Sequence, residues 1–191
     1  MYLPSPMSKA KPLDDRIGRA SWLAARARVN LDLFAFLMWQ TNLDKFETAL
    51  SKRWNLFEFI RTANEHEFLA RITNLFARRK DTDNFPELVE EAERMHAIDA
   101  ATCATIKTQI DAANSAYEIA KIIRNKVVSH QDSAHNKPDI YKQAKPTLPI
   151  FIELSDQSLA IASALCSARG FPSQAVFTTP TVQLEEMLVE L

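Results

Sequence analysis

Glycine is nearly absent from this chain: Gly18 and Gly170 are the two in 191 residues. Sheet-rich folds spend glycine at hairpin turns, and phosphate-cradling loops need it in clusters. Two isolated glycines exclude a Gly-rich nucleotide loop and a dinucleotide fingerprint, and they favour a helical chain. Cysteine is equally scarce. Cys103 and Cys166 sit in helix-period apolar stretches and read as buried thiols in a reducing compartment, not as a disulfide framework or a zinc set. The net charge is −1 and the pI is near 6.4, so no global basic field draws in nucleic acid; any such site must be a local patch. Long hydrophobic runs are missing too. The most apolar stretch, Leu31 to Trp39, is interrupted by Asp32 and far too short to cross a bilayer. Met1 to Asp15 shows no positive segment followed by an apolar run, so a secretory leader is not expected. These absences predict a cytoplasmic protein with no membrane partner. No cofactor and no metal are expected, because no His/Cys/Asp group shows ligand spacing.

What is present is a helical pattern. Hydrophobic residues make up 47% and charged residues 25%, ordinary for a globular protein of about one domain. The expected fold is an all-α, up-and-down helical bundle. Residues 1–12, with prolines at 4, 6 and 12, form a tail, and 13–191 form a single helical domain with its core in 31–132 and a C-terminal helical extension in 150–191. Asp14 and Asp15 offer an N-cap and a negative first turn. The helix that follows runs to about Leu50, with Trp22, Val29, Leu33, Phe36 and Leu37 on one stripe and Thr41-Asn42 as a candidate break. A second runs from Ser51 to about Arg79, with Leu56, Phe59, Ile60, Leu69, Ile72, Leu75 and Phe76 as its apolar faces. Residues 81–84 are a turn, and Pro86 takes an early position in a short helix. A long helix spans about Thr102 to Ser129, with Ala116, Ile119, Ala120, Ile123, Val127 and His130 on one buried face. Ile150-Phe151-Ile152 reads as a short extended piece. Ser155-Asp156 caps a further helix that Gly170 and Pro172 stop, and Thr179-Pro180 starts a last amphipathic one.

Basic residues gather locally at Arg26/Arg28, Arg78-Arg79-Lys80 and Lys121/Arg124/Lys126, clusters that are usually solvated helix faces. Arg124 and His130 are six residues apart, about 9 Å of helix, and both can reach one groove along the edge of the apolar stripe. A guanidinium binds phosphate oxygens bidentately, and an imidazole moves protons near neutral pH. A similar spacing recurs at Arg61 and His66, so spacing alone does not choose. His66 and His96 lie in charged stretches and read as exposed. Trp22, Trp39 and Trp54 read as core or dimer interface, and Tyr117 as a candidate base-stacking side chain.

The string Arg124-Asn125-Lys126-Val127-Val128-Ser129-His130-Gln131-Asp132 resembles the signature of the HEPN family: an arginine, a polar residue, and a histidine four to six residues on. Its form is similar to the version in the AbiU-like abortive-infection branch. Leu69-Ala70-Arg71-Ile72-Thr73-Asn74 resembles that branch's Arg-Leu-Thr-Asp segment, with Asn74 in place of the aspartate. Asn84-Phe85-Pro86-Glu87-Leu88 resembles the start of its short middle helix. The resemblance implies a homodimer and a metal-independent endoribonuclease whose cleft is shared between the two Arg…His helices, in phage defence or a toxin–antitoxin setting. It implies His130 as the base that takes the ribose 2′-OH proton, Arg124 as the holder of the scissile phosphate, and Asn125 as the residue orienting one of them. Lys121, Lys126 and Tyr117 would contact the RNA substrate, and an antitoxin or defence protein is an implied partner. Asp132 stands where toxins paired with a nucleotidyltransferase carry a tyrosine, so control by AMPylation is not expected. The alternatives are a non-catalytic HEPN dimer that binds RNA, a nucleotide or a protein, and a plain bundle in which Arg124 and His130 are structural.

Overall fold

Ile17, Ala20, Ala24, Ala27, Leu31 and Phe34 recur three and four residues apart along α1 (Leu13–Phe36), and all are buried. That spacing lays them on one stripe, and the alanines let neighbouring helices approach closely. The computed structural model describes residues 12–80, 82–125, 147–174 and 179–190, and every regular element among them is helical. After α1 come α2 (Gln40–Lys45), α3 (Glu47–Lys52), α4 (Trp54–Phe76), α5 (Phe85–Arg94), α6 (Ala100–Ala112), α7 (Asn114–Ile123), α8 (Leu148–Ala168) and α9 (Thr179–Val189). The result is an all-α bundle.

α1 packs mainly on α4 and α8, while α7 lies against α4 and α8, and α5 against α6. The main core is built from the stripe of α1, Phe68, Leu69, Ile72 and Leu75 of α4, Phe85 and Leu88 of α5, Ile106 of α6, Ile123 of α7, and Leu154, Ile161 and Leu165 of α8. Two aromatic pairs sit within it: Phe76 meets Phe85 edge-on at 5.4 Å, and Phe68 meets Phe151 at 5.4 Å. A second, smaller cluster joins Phe36, Leu37, Phe46, Leu50 and Phe57 to Leu184 and Leu188 of α9.

α8 is long and apolar enough, by length and composition, to cross a membrane, with a mean hydropathy of 1.2. Among the described residues it is the one helix that passes this test. It is the helix around which the bundle is assembled, in contact with α1, α4, α5, α6 and α7.

The structure corrects several boundaries. The first helix ends at Phe36, and short helices α2 and α3 carry the chain to Lys52. Asp14 and Asp15 lie inside the first turn, so they complement the helix dipole rather than cap it; the N-cap is Pro12, without a side-chain bond. The helix expected over Thr102 to Ser129 is interrupted at Ala113, between α6 and α7; Val127 and the rest of that stretch lie outside the described residues. Ile150-Phe151-Ile152 is helical, not extended. Pro149 occupies the first turn of α8, where its fixed φ suits the helix and its missing N–H costs nothing, so Ser155 and Asp156 stand mid-helix. The stops at α8 hold: Gly170 is left-handed at φ 76, and the N–H of Phe171 reaches back to the Cys166 carbonyl. The tryptophans are not core. Trp22, Trp39 and Trp54 are 46%, 55% and 54% exposed, and Phe59, expected on an apolar face, is 71% exposed. Both cysteines are buried and free.

Candidate functional site

The last turns of α4 and α7 meet across a cleft of about 460 Å³, within the range of small-molecule and cofactor sites. From α7 it takes Asn114, Tyr117, Glu118, Lys121 and Arg124, followed by Asn125. These recur at spacings of three and four, so they form one helix face. The opposite face, Ala116, Ala120 and Ile123, is buried in the main core, which fixes the rotation of the helix. The other wall is Thr73, Asn74 and Phe76 of α4 with Ala77, Arg78 and Arg79 beyond its end.

α4 stops at Phe76 because Ala77 turns extended, at ψ 131°. The segment that follows is tied down by Asn84. This side chain is fully buried. Its Nδ2 donates to the Arg79 carbonyl at 2.6 Å and to Thr82 Oγ1 at 3.0 Å, while its Oδ1 accepts from the Glu87 N–H at 2.9 Å. One residue therefore caps α5 and anchors the arginine wall. Arg16 and Arg19 pin the same turn from α1 through Asp83.

Within the cleft, Arg124 Nη1 donates to Asn125 Oδ1 at 3.2 Å. Both residues are half-buried, and the helix widens there into a π-type turn, a distortion common at functional sites. Lys121 Nζ donates to both oxygens of Glu118, at 2.9 and 3.1 Å, and this bond holds the ammonium pKa above its ordinary 10.5. Lys121 Nζ also stands 5.3 Å from the centre of the Tyr117 ring, which leans on Phe76 at 6.1 Å. Tyr117 thus lines the cleft, but with Lys121 over its ring; a base stacking on that face must displace the ammonium.

Charge is concentrated here. Arg78, Arg79, Lys121 and Arg124 against Glu118 leave three formal positive charges in the lining, in a chain whose total is −1. Two helix C-termini face the same region, and each contributes about half a negative charge. The sum still stays near two positive charges, so the cleft attracts anions. Elsewhere Arg16, Arg28, Arg71, Lys107 and Arg169 each hold a carboxylate. No described carboxylate pairs with Arg78 or Arg124.

Of the residues singled out from sequence, Tyr117, Lys121, Arg124 and Asn125 stand together on this cleft. His130 and Lys126 lie outside the described residues. Sequence reasoning noted Arg78 and Arg79 only as a charged cluster, and Asn74 only within a segment of resemblance; nothing in helical period shows that α4 ends against α7. The competing motif is committed to packing. Arg61 is paired with Glu58, and His66 is half-buried rather than exposed, with Nε2 enclosed. His96 is exposed, in a left-handed turn at φ 53. Arg28 is consumed by Asp32 and Asp156, and Arg26 lies over Trp22. Among the described residues no three His, Cys, Asp or Glu side chains gather as a metal-ligand set. No family model, curated protein or solved structure matches this chain.

Proposed function

We propose that this chain is a HEPN-type endoribonuclease of the AbiU-like branch that needs no metal, works as a homodimer, and acts in phage defence or as a toxin. The observation that carries this reading is the placement of Arg124 and Asn125, bonded to each other, in a cleft lined by three further cations. Two of the three segments that resemble the family, 69–74 and 124–132, contribute Asn74 and Arg124 to that one cleft.

In this mechanism His130 takes the proton of a ribose 2′-OH, and the 2′-oxygen attacks the adjacent phosphorus. The bond from phosphorus to the 5′-oxygen breaks, and the histidine of the second subunit protonates the leaving oxygen. A 2′,3′-cyclic phosphate and a 5′-OH result. Arg124 binds the phosphate oxygens as charge develops on them, and Asn125 holds the guanidinium in place. RNA is the substrate because DNA lacks the attacking hydroxyl. A shared cleft requires the α7 end of each subunit at the two-fold axis. The exposed Trp54 and Phe59 lie toward the other end of α4, 22 and 17 helical steps from Phe76 or roughly 25–33 Å away, so a dimer joined there would keep the two clefts apart.

The test is cleavage of single-stranded RNA by purified protein in EDTA. His130→Ala abolishes cleavage with little change in melting temperature, and Arg124→Ala lowers kcat by about 10²–10³, the range for a lost charge-stabilising group. If His130→Ala cleaves normally, or neither it nor the parent cleaves, the enzyme reading is lost. Should the parent then still bind RNA, a non-catalytic HEPN dimer takes its place.

A further inference from the structure

We infer that Arg78 and Arg79 form a second phosphate-binding position, so that the cleft grips a single-stranded polynucleotide by at least two of its phosphates. The inference rests on the reading of the cleft as an RNA site, but not on cleavage. The two arginines lie just beyond α4, across the cleft from Lys121 and Arg124 on α7. Cations on two walls suit an anion whose charges are spaced along a chain, whereas a single phosphate is satisfied by one guanidinium. Asn84 holds the Arg79 carbonyl, so this wall is built into the fold and not left to a loose tail. Tyr117 stands on the α7 wall beside Lys121, and an aromatic within a basic groove is the combination that single strands favour.

A simpler explanation competes. Cations just past a helix C-terminus also stabilise the helix through its dipole. The two accounts differ in what neutralising the arginines does. Under the dipole account stability moves slightly and binding does not; under the phosphate account the reverse holds.

The probe is a fluorescent 2′-O-methyl oligouridylate, which a 2′-OH-dependent enzyme cannot cut. We expect the tetranucleotide to bind the full-length protein at least tenfold more tightly than the mononucleotide. Arg78→Gln/Arg79→Gln removes most of that gain. It also lowers the slope of log K against log salt by about 0.7, the contribution of the one single-strand phosphate contact that the pair makes. Arg124→Gln lowers the slope by about 0.7. Arg78→Lys/Arg79→Lys keeps the slope while weakening affinity, because charge survives and the bidentate geometry does not. An unchanged slope in the double Gln variant overturns the inference. So does equal binding of mono- and tetranucleotide, or displacement of the strand by a polyglutamate peptide of matched charge at equal concentration, which would mark an acidic-protein site. Cleavage of the matched 2′-OH strand is read separately. Binding that depends on Arg78 and Arg79 without cleavage removes the nuclease reading alone; cleavage that ignores both arginines removes this inference alone.

Discussion

Asn84→Ala is the substitution that most directly connects the fold to the cleft. The side chain is fully buried and makes bonds in two directions. Loss of the N-cap bond to Glu87 costs about 1 kcal/mol. Loss of the Nδ2 donor removes one bond from the Arg79 carbonyl, which keeps the Thr82 N–H and hydroxyl, at about 0.5–1.5 kcal/mol. Together these give about 1.5–2.5 kcal/mol, or a fall in melting temperature of roughly 3–10 °C at about 2–4 °C per kcal/mol for a chain of this size. Asn84→Asp separates the two contributions. A carboxylate still caps α5 and favours its positive end, but it sets an acceptor against the Arg79 carbonyl, so the arginine wall is released while α5 is kept. Calorimetry gives the stability of both variants. Amide exchange at residues 77–80, faster in both than in the parent, gives the release of the wall. If Asn84→Ala melts within 1 °C of the parent, or exchange at the wall is unchanged, the tether is not what orders this side of the cleft.

The two glycines are predicted to answer alanine with opposite signs. Gly18 is helical and an added Cβ meets nothing within 4 Å, so Gly18→Ala raises stability by about 1 kcal/mol; Gly170 is left-handed, and Gly170→Ala lowers it by about 1–2 kcal/mol. Two scans by differential calorimetry check this, and equal signs would contradict it. In acid, burial pushes the Asp83 carboxyl up, but hydrogen bonds from Arg19 and Arg16 outweigh it, and the net pKa lies below the ordinary 3.8. The Arg169 hydrogen bond likewise lowers Asp14. Depressed carboxylates stabilise the fold above their unfolded pKa and lose that contribution as pH falls through the folded value. Urea midpoints should therefore be level from pH 7 to about 5 and drop below about pH 4, less steeply in Asp83→Asn; an identical drop in that variant removes Asp83 from the account. Burial raises both thiols, Cys103 and Cys166, so native protein should react with a thiol reagent far more slowly than unfolded protein, which exposes two equivalents. Rapid native labelling would place one of them at the surface.

The helical class and the buried stripes were legible because three-and-four spacing survives in α1, α4 and α7 whatever packs against them. Breaks at Trp39 and Arg53 fall two residues from the ones expected at Thr41-Asn42 and Ser51, whereas those at Phe46 and Ala113 were not legible, since neither glycine nor proline marks them. Pro149 misled for a specific reason: the residue that opens α8 is also one that ends helices, and Ile150-Phe151-Ile152 is too short to carry a period. Exposure of Trp22, Trp39 and Trp54 is decided by which helices arrive to cover them. The same holds for the cleft. Tyr117, Lys121, Arg124 and Asn125 fall on one helix face by counting, but their meeting with Arg78 and Arg79 is tertiary, across some forty residues of chain.

The central claim is tested most directly by the ends of a cut strand. Full-length protein is incubated in EDTA with a single-stranded RNA and, separately, with its 2′-O-methyl copy. Cleavage of the RNA alone, leaving 2′,3′-cyclic phosphate and 5′-hydroxyl ends, is the result the account predicts. An RNA left whole, or both strands cut alike, would contradict it.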